Sequence, residues 1–111
     1  MAIQNLSESV LLVTLPKEPQ WADDLFTVHQ AVSVEADSDV VVDFSDVEIL
    51  TSESICRLMM LNTLLDSSGH QIVLCSVPPL VRSVFDRLGL TGVFAFAPDK
   101  NSALKAIQTA S

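Results

Sequence analysis

The chain has 111 residues, 49% of them hydrophobic, with 14 Asp and Glu against 6 Lys and Arg and a net charge of -8. That length makes one domain, 1–111, with enough apolar material for a continuous core and too much for a disordered segment. The charge argues against nucleic acid and anionic membrane as partners, because both are bound chiefly through Lys and Arg. No apolar run approaches the roughly 20 residues that cross a bilayer, and the N-terminus lacks the basic and apolar stretches of a secretory signal. The expectation is a cytoplasmic protein without membrane insertion.

Ala2 to Leu6 reads as a short edge strand, turned through Ser7-Glu8-Ser9 into Val10 to Leu15, a near-continuous apolar run that suits a central strand. Pro16 and Pro19 end that strand. Trp21, Leu25, Val28 and Val32 recur at four, three and four residues, one face of a helix, with His29 on its flank as a surface residue. Val40 to Val42 is a β-branched run between polar residues, the pattern of a strand buried on both faces. An acidic loop, Asp43 to Glu48, follows it.

Hydroxyl residues at Thr51, Ser52 and Ser54 then precede an apolar-periodic segment and mark a helix N-terminus. Over about Glu53 to Asp66, Ile55, Leu58, Met59, Leu61 and Leu65 form the broad apolar stripe at 100° per residue. Cys56, Met60 and Leu64 follow one another on a different face, with Arg57 beside them. That ridge is either covered by a neighbouring helix or free for a partner. Gly69 suits a turn or left-handed position, and Gln71 to Cys75 is another short strand. Pro78-Pro79 starts a helix whose inner face is Val81, Val84, Phe85 and Leu88, closed by Gly89. Val93 to Ala97 is the last strand, and Asp99 caps a final helix with Ala103, Leu104 and Ile107 inside. The order β-β-α-β-α-β-α-β-α predicts an α/β fold: a mixed sheet of about five strands, an N-terminal hairpin and about four helices.

Little of this composition points to catalysis. There is no GxxxxGK[ST] and no GxGxxG, and three glycines are too few for a phosphate-cradling loop. His29 and His70 have no partner histidine at helical spacing. Asp43, Asp46 and Glu48 can in principle hold Mg²⁺, but the simpler reading is that Asp43 ends a strand and caps the turn while the other two are solvated. Cys56 and Cys75, the only cysteines, lack zinc-site spacing and read as reduced thiols. No catalytic residue, cofactor or metal is expected. The hydroxyl cluster remains. It lies where unpaired N–H groups and the helix dipole favour negative charge, and one hydroxyl is enough for a cap.

Val40 to Cys56, VVVDFSDVEILTSESIC, resembles the signature of STAS domains (sulfate transporter and anti-sigma factor antagonist). In that family a strand ending in Asp and an apolar residue leads through a short loop to Asp-Ser-Ser-Gly at a helix start. Ile72 to Leu74 with Pro79, Val84 to Leu90 and Val93 to Ile107 keep the family's order and spacing. The resemblance implies a STAS-like fold and a non-enzymatic regulator that binds an anti-sigma factor or serine kinase. It puts Ser52 at the phospho-acceptor position, with Thr51 and Ser54 as alternatives. It also implies partner contacts from Asp43, Ser45, Asp46, Glu53, Cys56, Arg57, Met60 and Leu64. Thr51, Glu53 and Ser54 depart from Asp-Ser-Ser-Gly. Two readings therefore stay open: an antagonist switched at Ser52, and a stand-alone STAS scaffold or signalling-complex subunit that binds constitutively.

Overall fold

The structure, a computed structural model, describes residues 2–7, 9–17, 25, 27 and 38–110. Five strands form one sheet in chain order: β1 (Ala2–Ser7), β2 (Val10–Thr14), β3 (Asp39–Asp43), β4 (Ile72–Cys75) and β5 (Ala95–Ala97). β1 pairs antiparallel with β2 as the predicted hairpin, with a bulge between Asn5 and Ser7, and the remaining pairings are parallel. Among the described residues there are three helices: α1 (Ser52–Ser67), α2 (Pro79–Arg87) and α3 (Lys100–Ala110). The helix expected around Trp21, Val28 and Val32, with His29 on its flank, lies outside the described residues. Leu25 of that stripe is fully buried in the core.

Both faces of the central strands are covered, as their unbroken apolar runs require. Val13 and Leu15 of the second strand region, Val40 and Val42 of β3, and Ile72 and Leu74 of β4 face one layer, filled by Leu58, Leu61 and Leu65 of α1 and Val81 and Phe85 of α2. The alternate residues Val10, Leu12, Val41, Val73 and Cys75 face the other layer and meet Ala103 and Ile107 of α3. The period of two along each strand thus divides one sheet between two cores. The helices after β3 and β4 lie on one side, and the helix after β5 on the opposite side.

Caps set the helix ends. α1 and α2 both finish in a Schellman arrangement. Gly69 and Gly89 adopt φ 76 and 72, and the residues after them close the turn through His70 N to Leu65 O and Leu90 N to Phe85 O, both 2.8 Å. Pro79 occupies the first turn of α2, and Asp99 Oδ1 accepts from Ser102 N at 2.7 Å to cap α3. That bond is the largest influence holding the Asp99 carboxyl below its usual range.

Three expectations need correction. Met59 is 40% exposed, because at 100° per residue it lies about 130° from the stripe of Ser54, Leu58, Leu61 and Leu65 that α1 buries. Leu88 is the C-cap of α2 and is exposed, since the chain leaves the helix there. The last strand begins at Ala95 rather than Val93, because Val93 N and Phe94 N are turned back onto Leu90 O.

Cys75 is buried at the end of β4, and Cys56 is exposed; both are free thiols. Burial, reinforced by Asp43 on the adjacent strand, pushes the Cys75 thiol up from 9.0 to about 11. A raised folded-state value stabilises the fold below the unfolded value and is lost as pH rises through the folded one. Stability is therefore expected to fall by up to about 2–3 kcal/mol between pH 9 and 11 on this account. Urea titrations of wild type and Cys75→Ala across that window should show the flatter profile in the variant. Parallel profiles would mean that Cys75 does not carry the effect.

Candidate functional site at the start of α1

Thr51 is the N-cap of α1. Its Oγ1 accepts from Ser54 N at 3.1 Å, and Ser54 Oγ accepts from Thr51 N at 2.9 Å, so the two residues satisfy each other's orphan donors in a capping box. Ser54 is fully buried and its hydroxyl also donates to Thr51 O at 2.8 Å. Two of the three hydroxyls are therefore spent on the helix end. Ser52 is exposed, and its hydroxyl has no hydrogen bond to the described residues. Ser54 is accordingly withdrawn as an alternative acceptor, since no kinase reaches a fully buried, doubly bonded hydroxyl. Thr51 is half-buried with its oxygen engaged. Thr51→Ala is expected to cost about 1 kcal/mol and Ser54→Ala about 1–3 kcal/mol, because Thr51 N–H loses its acceptor in a buried place. Ser52→Ala should stay within about 0.5 kcal/mol. Urea midpoints measure all three. A Ser52→Ala loss equal to that of Ser54→Ala would put Ser52 in the cap.

Asp43 is 5% exposed, and its Oδ1 accepts from Ser45 N at 2.9 Å, turning the chain out of β3. It is a positioning residue for the loop, and its burial removes it from the expected partner contacts. Ser45 and Asp46 are exposed on that loop. With Val47, Glu48 and Ile49 they form one wall of a crevice of about 840 Å³, whose other wall is Pro78 to Val81 at the start of α2. Lys17 reaches Glu48 across its rim at 3.5 Å, a solvent-exposed pair of small energetic consequence. Ile49 and Leu80 are among the most exposed large apolar residues of the described chain, and the sequence reading missed both. Among the described residues no group of His, Cys, Asp or Glu is placed to hold a metal ion.

On the outer side of α1, Ser52, Glu53, Cys56, Arg57 and Met60 line a shallow depression of about 460 Å³. An Arg57 Nη atom lies 4.0 Å from the Met60 sulfur, and the five residues make a polar and polarizable rim. Cys56 and Met60 of the expected ridge are thus exposed. Leu64 is not: it is half-buried and packs against the core, one turn below, and leaves the ridge. Met59 takes its place on the outward side. The turn of the helix gathers Ser52, Cys56, Met59 and Met60 onto one solvent-facing surface.

A family model for the Mlab STAS domain matches residues 22–96. The chain belongs to the STAS family. Members of this family are generally not catalysts. Solved structures agree on the fold. A variant of RsbS from Moorella thermoacetica has TM-score 0.84 at 18% identity, over 98% of this chain and 95% of that one. A chain of the stressosome, described as a signal integration and transduction hub, has TM-score 0.77 at 18% identity, over 98% and 97%. The Bacillus cell fate determinant SpoIIAA in its phosphorylated form has TM-score 0.72 at 13% identity, over 99% and 98%. Among curated protein sequences none matches this STAS chain. The five-stranded mixed sheet with its N-terminal antiparallel hairpin is the STAS fold, and no described helix is long and apolar enough to cross a membrane.

Proposed function

We propose that this STAS domain is a non-enzymatic regulator of the anti-sigma factor antagonist kind. It binds an anti-sigma factor or serine kinase through the outer face of α1, and phosphorylation of Ser52 releases the partner. The observation that carries this reading is the division of labour among the hydroxyls: Thr51 and Ser54 cap the helix, whereas Ser52 is exposed and lines the same depression as Cys56, Arg57 and Met60. The likeness to SpoIIAA, solved as an anti-sigma factor antagonist in unphosphorylated and phosphorylated forms, supports it. An exposed Met-bearing surface beside an Arg suits adaptable contacts with a protein. Asp46 and Glu53 supply negative charge to that contact and Ser45 a hydroxyl, which suits a basic partner surface and steers its approach.

The second reading, constitutive binding within a larger signalling assembly, is favoured by Glu53. This carboxylate beside Ser52 stands where the family motif has a second Ser, and it already places negative charge at the helix start.

Met60→Asp tests the surface. At 43% exposure the residue tolerates a carboxylate, so the melting midpoint should stay within a few degrees while capture of the anti-sigma factor or kinase is lost. Unfolding of the variant would put Met60 in the core, and undiminished capture would move the partner elsewhere. Incubating the captured kinase with ATP separates the two readings: phosphate on Ser52 supports the switch, and an unmodified, still-bound complex supports constitutive binding.

A further inference from the structure

The ends of β4 and β5 form a second site, remote in sequence from α1. These neighbouring strands run parallel, but the chain leaves them in opposite directions. After β4 it turns to α2 on one face of the sheet, and after β5 to α3 on the other. Such divergence opens a crevice outside the carboxyl ends of the strands, the place where open α/β sheets bind ligands. Here the crevice measures about 330 Å³ and is lined by Ser76, Val77, Arg82, Phe96, Ala97 and Pro98.

Arg82 is held there as a directed cation. Its guanidinium carbon lies 3.8 Å from the centre of the Phe96 ring, a stacking that fixes the plane of the group. Its Nε is shielded from solvent and has no hydrogen-bond partner. The nearest carboxylate oxygen, Oδ1 of Asp86, is 3.9 Å away, beyond hydrogen-bonding distance. Nε is closed to an entering ligand as it is to water, so the donors that Arg82 offers to the crevice are the remaining N–H groups of a guanidinium on a side chain 43% exposed. Across from it, Ser76 has φ 55, a backbone state that a residue with a side chain adopts rarely. Its hydroxyl bonds the Cys75 side chain and makes a long contact, 3.4 Å, to Pro98 O, from which it can turn to a better acceptor. Of the charged groups nearby, Asp86 on the same helix opposes an incoming anion. Lys100 and Asp99 act in opposite senses on the neighbouring Cys75, and Asp99 is engaged with Ser102 N.

We propose that the crevice at the ends of β4 and β5 binds the carboxylate or phosphate group of a small molecule, with the Arg82 guanidinium and the Ser76 hydroxyl as donors. The volume is at the lower limit for ligand pockets and suits a small anion.

Two-dimensional NMR with inorganic phosphate and, separately, acetate, at constant ionic strength, tests it. In wild type the Arg82 Nε–H signal and the amides of Ser76, Val77 and Ala97 are expected to shift along saturating curves. The tighter of the two anions identifies the group preferred. Arg82→Gln should weaken binding roughly tenfold, the effect of losing one charge-assisted hydrogen bond. Lys17→Gln, which removes the same charge outside this crevice, should leave it unchanged. Non-saturating drift, shifts spread over the whole surface, or equal weakening in both variants would overturn the proposal. If Arg82→Gln does not fold, the wild-type shift map alone decides.

Discussion

Phe85→Ala is expected to lower the free energy of unfolding by about 3–5 kcal/mol, the usual range for emptying a buried phenyl site. Phe85 is fully buried at the centre of four aromatic rings. It meets Phe44, Phe94 and Phe96 edge-to-face, with centroids 6.1, 5.8 and 5.6 Å away. Each such pair contributes beyond simple burial. These rings also come from four separate segments: the turn after β3, α2, the turn before β5, and β5 itself. The void left by alanine therefore cannot close by moving one element. Against a domain stability of about 5–15 kcal/mol, the loss takes a third or more of the total in most cases. Leu88→Ala, at the exposed end of the same helix, should cost less than about 0.5 kcal/mol. Urea denaturation of the two variants beside wild type measures the contrast. Similar midpoints for both would mean that the aromatic cluster does not hold α2 to the sheet.

Phosphorylation of Ser52 is expected to leave the fold intact and weaken partner binding by roughly thirtyfold or more. A phosphoryl group adds about -1.5 to -2 charges at pH 7. At the first residue of α1 it meets unpaired N–H groups and the positive end of the dipole, which locally stabilise it. Glu53 opposes it, but solvent screens exposed charges over about 8–10 Å. The capping box of Thr51 and Ser54 does not involve the Ser52 hydroxyl, so the helix start survives modification. At an interface the balance differs. The dianion loses water and meets whatever acidic groups the partner presents, and penalties of about 2 kcal/mol or more are usual for such a group. Kinase treatment with mass spectrometry for the site, circular dichroism for the helices and a binding titration give the three readouts. A modified protein that has lost helical signal would show that phosphate melts α1. Unchanged affinity would place the partner off this surface.

Much of the architecture was legible because it depends on local chemistry. Val40 to Val42 reads as a strand buried on two sides and is one, since β-branched runs between polar residues have few alternatives. Gly69, Gly89, Pro79 and Asp99 marked helix ends through backbone rules that act over a few residues. The site was legible only in part. That Ser52 differs from Thr51 and Ser54 depends on which way each hydroxyl turns, and three neighbouring hydroxyls look alike in a sequence. Met59 was misjudged because its apolar side chain adjoins Leu58 in sequence, although the helix turns it about 130° away from the buried stripe. The stacking of Arg82 on Phe96 joins residues from different elements, and nothing in their spacing announces it.

The strand order also bears on how the chain becomes a protein. Every strand is the neighbour of the one synthesised before it. No strand has to be threaded between two that are already paired. The hairpin of β1 and β2 is local in sequence and can form before the strands that follow it, and each later crossover adds one strand to a single advancing edge. Pairing only strands that are consecutive in sequence keeps each crossover shorter than a reordered sheet would require, which limits the slowness that parallel pairing imposes. The advancing edge finishes at β5, only three residues long. A strand that short offers little template to a second chain, so the edge completed last is protected from mispairing.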